Sequence, residues 1–343
     1  MNQFPTIDTD LRVFITHFVP PKGNVATLLR DFFLPRFSRA YVRSWARLIR
    51  HGTRGNQPWK KDVMTKVRRK DQINKLRYLC NQILILKQIQ LNSLEIYVHT
   101  NSVSVAHQLR NIFRDKEVFI KEYPQYNRMN QLHNSPWKLN DKFSPWFLAW
   151  EHKLTFKEVF ERSEKKALFL CLEDDTYFTS GNLEYFLKYK DSLQKFNLLP
   201  SFLQVEFHNL LGQYFAVGNF ANQKISTLGL ARVKLMDQVF VQLPNPYSGI
   251  ILLDYQQAFE YIKSDAFNEE TSRKLSWWDI GARAAMGLQF VNPPEGFSSR
   301  NVLPLNEDGT GIALDAWVIH QPNIYVEKRE VIPGLTPDSL FAT

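Results

Sequence analysis

The sequence predicts an α/β fold on a mostly parallel sheet, and three observations carry that expectation. Strand-like and helix-like runs alternate through the first half, the pattern that builds parallel sheets from crossover units. The 343 residues are 44% hydrophobic and 22% charged, enough apolar material for a sizeable core. The second half mixes strand-like pieces with two helical stretches, and no Pro/Gly-rich linker separates the halves. One compact domain with two functional parts follows, its boundary near residue 175.

The elements follow in order. "DLRVFITHFVP" (10–20) reads as a first strand, rich in β-branched and aromatic residues and stopped by Pro20-Pro21. "DQINKLRYLCNQILILKQIQL" (71–91) reads as a long helix with Asp71 as its cap. "SLEIYVHTN" (93–101) is a second strand, "SVSVAHQLRNIFRD" (102–115) a helix, and "EVFIKEY" (117–123) a third strand. A polar loop fills 124–143. Ser144 at an N-cap and Pro145 at the first helical position then open another helix. "ALFLCLEDD" (167–175) is the fourth strand. Beyond it, "SFLQVEFHN", "QVFVQLPNPYSGIILLD" and "ALDAWVIHQPNIY" are strand-like, while "YQQAFEYIKS" and "SWWDIGARAAMGL" are helix-like.

Composition also excludes classes. No apolar run approaches the roughly 20 residues needed to span a bilayer. The N-terminal residues lack a basic stretch followed by an apolar one, so no signal peptide is expected. Cys80 and Cys171 form no metal-type pair and read as buried free thiols of a reducing compartment. A soluble, cytoplasmic protein is expected. Its net charge of +9 is local: residues 30–70 hold 13 of the 43 Lys/Arg but only two acids, Asp31 and Asp62. In the same region Leu29, Phe33, Phe37, Tyr41 and Trp45 recur every four residues. This amphipathic segment, 28–70, either packs on the sheet or makes peripheral contact with an anionic membrane at its inner face. No recognised nucleic-acid-binding module accompanies it, so no nucleic-acid partner is expected.

The fourth strand ends in three consecutive acids, Glu173-Asp174-Asp175. Adjacent carboxylates repel, and in a parallel sheet ligands bind beyond the carboxyl ends of strands. Alternation sends Glu173 and Asp175 to one face and Asp174 to the other. Two carboxylates on one face suit a hard divalent ion that shares its remaining positions with water and phosphate. The competing reading is a solvated strand end beside a helix N-terminus.

An apolar strand ending in Glu-Asp-Asp midway through an α/β domain resembles the DxD-type motif of GT-A glycosyltransferases, here with Glu where the strict motif has Asp. The resemblance implies a single α/β/α domain with a Rossmann-like central sheet. Residues 1–175 would bind a nucleotide diphosphate sugar, and 176–343 would carry the acceptor site and the catalytic residue. It further implies Mn²⁺ or Mg²⁺ on Asp175, with Glu173 and Asp174 on the ribose or on metal-bound water. The activity implied is transfer of a hexose or related sugar to an acceptor hydroxyl, as in polysaccharide or glycoconjugate biosynthesis. The acceptor would be a saccharide or a lipid-linked sugar.

The resemblance directs attention to further residues. Asp279 in "LSWWDIGARAA" is the candidate base of an inverting displacement, with Trp277 and Trp278 stacking on acceptor sugar faces; Ser276-x-x-Asp279 is equally a helix-capping pattern. His320, ending an apolar strand, is the candidate second metal ligand, although a lone strand histidine is commonly structural. Gly249 would let backbone approach sugar or acceptor, or would simply make a turn. Thr16, His17 and Phe18 after the first strand, and Asn101 after the second, would line the donor's base and ribose; Asn101 also reads as a helix cap. Lys153, His152 and Arg128 are diphosphate candidates. Two alternatives use the same features: a metal-dependent nucleotidyltransferase or other phosphate-transfer enzyme, and a non-catalytic membrane- or polysaccharide-binding protein.

Overall fold

The computed structural model describes residues 7–19, 74–127, 147–217, 230–243, 246–322, 326 and 336–341. The basic segment 28–70, Asp71, Arg128, Ser144 and Pro145 lie outside the described residues. The first half alternates as the sequence predicts: β1 (Ile7–His17), α1 (74–88), β2 (Leu91–Thr100), α2 (Val103–Ile112), β3 (Val118–Glu122), α3 (Leu148–Glu161) and β4 (Ala167–Glu173). Ser102 caps α2, its hydroxyl accepting from the Val105 N–H, so the cap expected of Asn101 falls one residue later.

These strands form one sheet with the order β11-β4-β1-β2-β3. β1, β2, β3 and β4 run parallel; β11 (Ile250–Leu253) joins antiparallel to β4. Both faces are covered, which is why the strands read as continuous apolar runs. Leu11, Val13 and Ile15 of β1 face a cluster with Leu79, Ile83 and Leu86 of α1, while Phe14 faces the other way onto Phe156 and Phe160 of α3. The fold is thus α/β, with a mostly parallel central sheet between helical layers.

The second half is built of shorter strands. β5 (Thr176–Tyr177) and α4 (Ser180–Gln194) follow the acids at once. β6 (Leu199–Pro200), β7 (Leu203–His208), β8 (Gln213–Ala216), β9 (Arg232–Leu235) and β10 (Gln238–Val241) come next. After β11 come α5 (Tyr255–Lys263), α6 (Ile280–Ala284), β12 (Asn301–Pro304) and β13 (Trp317–His320). They pair into two four-stranded sheets, β6-β12-β10-β9 and β5-β13-β7-β8. The strand-like run 238–254 is two strands in two different sheets, β10 and β11, with Pro246, which has no N–H to donate to a ladder, between them. One hydrophobic cluster holds Leu11 of β1, Val302 of β12, Val318 of β13 and Phe341, so both halves share a core. Among the described residues, no helix is long and apolar enough to cross a membrane.

Candidate active site at the end of the fourth strand

β1, β2 and β3 step outward in one direction and β4 lies on the other side of β1. The sheet therefore reverses its winding between β1 and β4, the position where open α/β sheets bind ligands. In register, Thr16 lies opposite Glu173. The three acids begin at this switch point, and each turns to a different partner.

Asp174 turns across the switch point. Its Oδ2 is hydrogen-bonded to Nδ1 of His17, the last residue of β1. Both are buried, His17 at 1% exposure. Burial alone would raise the Asp174 carboxyl, but the charge and hydrogen bond of His17 overcome it and lower it below its ordinary value. Asp174, expected on the ribose, is thereby committed to the protein.

Asp175 turns towards β13. The Gln321 N–H donates to the Asp175 carbonyl at 2.8 Å, and His320 lies opposite Thr176 in the β5–β13 ladder. This brings His320 Nε2 to 3.5 Å from Asp175 Oδ2. The other ring nitrogen, Nδ1, is 2.6 Å from Oε1 of Glu206 on β7, which is fully buried. Burial disfavours a charge on His320; the hydrogen bonds to Asp175 and Glu206 outweigh it and raise the imidazole to about 10.

Glu173 faces the loop before β11. The Tyr247 hydroxyl donates to its Oε1, and Gln204 Nε2 lies 3.4 Å from Oε2. Burial, then the negative charge of Asp175, push its carboxyl above the usual range. Gly249 closes against it: at φ +66 a Cβ there would come 2.7 Å from Glu173 Oε2. Only glycine accepts both the left-handed backbone and that approach. Gly249 precedes β11 rather than following a strand, and what its backbone meets is the first acid of the cluster.

Asp279 is the N-cap of α6, its Oδ1 accepting from the Ala282 N–H at 2.9 Å. The helix starts three residues later than the Ser276-x-x-Asp279 pattern implies; Ser276 Oγ instead accepts from the Trp278 N–H at 3.2 Å. Trp278 is buried, its ring 5.2 Å from that of Tyr247 and 5.3 Å from that of Phe290. It is a wall, not an open stacking platform. Trp277, at 77% exposure, is open. Through Tyr247 the Trp278 segment is tied to Glu173.

Other expected donor contacts are employed elsewhere. Asn101 is buried and bonds Val19 with both ends of its amide, at 2.8 Å to the N–H and 2.8 Å to the carbonyl. It joins the exit of β1 to that of β2. Lys153 is buried, donating to the Ala266 carbonyl at 2.7 Å with Nζ 3.9 Å above the Trp150 ring. Burial holds both Lys153 and His152 well below their ordinary values, and with both side chains inside the protein neither is open to a diphosphate. Thr16 and Phe18 are half-buried at the end of β1. Cys171 is buried, its thiol pushed up to about 12 by burial, and Cys80 is half-buried; both are free.

Sequence reasoning missed Tyr247, Gln204 and Glu206. One signal for the last two was present in "LQVEFH", which places Gln204 and Glu206 on one face of a strand between Leu203, Val205 and Phe207. An acid at such a position stays buried only when paired.

Among the described residues, no three or more His, Cys, Asp or Glu side chains converge as a metal-binding group. Asp175 and His320 nonetheless suit a divalent ion in their chemistry: one carboxylate, and one imidazole whose second nitrogen is held by a buried carboxylate. Two protein donors leave positions for phosphate and water. Compared with known protein families the chain matches none, and no curated protein matches it.

Proposed function

We propose that the protein is a GT-A-type glycosyltransferase that moves a sugar from a nucleotide diphosphate sugar to an acceptor hydroxyl, using Mn²⁺ or Mg²⁺. The observation that carries this reading is the meeting of Asp175 and His320, 145 positions apart, at the topological switch of the sheet. Asp175 and His320 would hold the ion. When bound, such an ion supplies positive charge against the departing diphosphate. Glu173, steadied by Tyr247 and Gln204, presents a second carboxyl edge to the donor side.

Asp279 takes the role of base. One of its oxygens is fixed by the Ala282 N–H, which orients the carboxylate and leaves the other oxygen to receive the acceptor hydroxyl's proton. The acceptor oxygen bonds to the anomeric carbon as the carbon–oxygen bond to the diphosphate breaks, inverting the centre. Trp277, open to solvent, offers its face to the C–H surface of an acceptor sugar.

Calorimetric titration with UDP, GDP, CMP and dTDP, with and without MnCl₂, tests the reading on wild type and Asp175→Asn. Tight, metal-dependent binding of one nucleotide, lost in the variant, is expected. Failure of every nucleotide to bind the folded protein overturns it. Turnover that yields inorganic diphosphate instead of a nucleoside diphosphate would reassign the site to nucleotidyl transfer.

A further inference from the structure

We propose that Glu206 is a positioning residue that sets the orientation and tautomer of His320, so that Nε2 faces Asp175 as a metal donor. The inference rests on the reading of Asp175 and His320 as metal ligands and adds what makes His320 competent. An imidazole at the end of a strand can rotate, and when neutral it carries its proton on either nitrogen. Only one arrangement presents a lone pair to an ion beside Asp175.

Glu206 imposes that arrangement. Val318 of β13 lies opposite Gln204 of β7, so His320 and Glu206, each two residues on, come side by side. Glu206 is 0% exposed, and its Oε1 lies 2.6 Å from His320 Nδ1. An ionised carboxylate only accepts hydrogen bonds; the nitrogen facing it must carry the hydrogen, and once the imidazole gives up its second proton to an ion, Nε2 is the nitrogen left with the lone pair. The carboxylate is itself fixed, because its Oε2 accepts the Val326 N–H at 2.7 Å. Val326 in turn packs on Phe215 and Val217. A wholly buried glutamate is costly unless paired, and here both oxygens are used. Outer partners of this kind commonly change metal affinity by about 10–100-fold when removed.

Glutamine at this position cannot satisfy both neighbours. With its NH₂ towards Nδ1, the imidazole must carry its hydrogen on Nε2. With its carbonyl towards Nδ1, the NH₂ meets the Val326 N–H, donor against donor.

The test is MnCl₂ binding, read as loss of the free-ion electron paramagnetic resonance signal, for wild type, Glu206→Gln, Glu206→Asp, His320→Gln and the double variant Glu206→Gln/His320→Gln. Glu206→Gln is expected to weaken Mn²⁺ about 10–100-fold and Glu206→Asp to weaken it less. In the His320→Gln background, Glu206→Gln should cost nothing further. Unchanged affinity in Glu206→Gln, or costs that add in the double variant, overturns this assignment and leaves the metal reading standing. Absence of Mn²⁺ binding to wild type overturns both. If Glu206→Gln does not fold, wild type with MgCl₂ decides the matter by ¹⁵N resonance of its histidines. A His320 proton on Nδ1 supports the assignment; one on Nε2 overturns it.

Discussion

Two neighbouring acids, Asp174 and Asp175, each meet a histidine, and the two pairs are differently made. His17 comes from the parallel sheet, at the end of β1, and faces a single carboxylate in direct contact with almost no exposure. His320 comes from the short-stranded half, at the end of β13, and stands between two carboxylates, Asp175 at 3.5 Å and Glu206 at 2.6 Å. The first pair is buried and joined directly. The second sets a nitrogen and a carboxylate oxygen facing one another at the long end of hydrogen-bond range, 3.5 Å. The regular half of the molecule makes a frame; the irregular half brings the chemistry to it.

Breaking the frame pair should have the largest effect on folding. His17→Ala leaves the Asp174 carboxylate buried without its partner, a loss of about 3–5 kcal/mol. Chemical denaturation should report it, and Asp174→Ala on top should add little, because the two residues act as one unit. The comparison breaks if His17→Ala keeps wild-type stability while losing nucleotide binding.

Asp175→Asn should do the reverse. Asp175 is partly exposed and its backbone ties to β13 survive the change, so stability should fall less than in His17→Ala. Metal-dependent nucleotide affinity should fall by more than the roughly 100-fold that an outer partner can cost. Titration calorimetry beside a thermal melt measures both; a large stability loss with binding retained would make Asp175 part of the frame instead.

Gly249→Ala sits between these cases. It strains a left-handed backbone, at about 1–3 kcal/mol, and pushes against Glu173, which must leave Tyr247 or Gln204. A melt should show the stability loss, and nucleotide affinity should fall several-fold with it. Loss of stability without any change in affinity would separate Glu173 from the donor site.

How much of this could be read beforehand follows from element length. β1, β2 and β4 are 7–11 residues long and buried on both faces, so their apolar runs announce them and their acidic end stands out. β5 and β6 are two residues each and β9 and β12 four; such pieces are made by pairing across the fold, and no local pattern encodes them. Asp175, Glu173 and His320 were legible because charge at an apolar strand end is conspicuous. The commitment of Asp174 to His17 was not, because the strand order that makes β1 and β4 neighbours is a property of the whole sheet. Lys153 misled for a related reason: a lysine on an amphipathic helix reads as exposed, and only the aromatic pocket of Trp150 and Tyr261 explains its burial.

The pH dependence of stability is the effect most specific to the second pair. In the metal-free protein His320 is raised from an ordinary value of 6.5 to about 10. A raised imidazole contributes stability that is complete below pH 6.5 and is lost as pH climbs towards about 10. Melting temperature should therefore decline across that window, and His320→Gln should flatten most of the decline. Glu173, also raised, acts in the same direction from its lower starting value. An ion on Nε2 must displace the same proton. At pH 8, titration of wild type with MnCl₂ in buffers of differing ionisation enthalpy should report about one proton released per ion bound, and none in His320→Gln. Release of no proton by wild type would mean that the ion avoids His320. The two histidines would then belong to one class, both framing the acids.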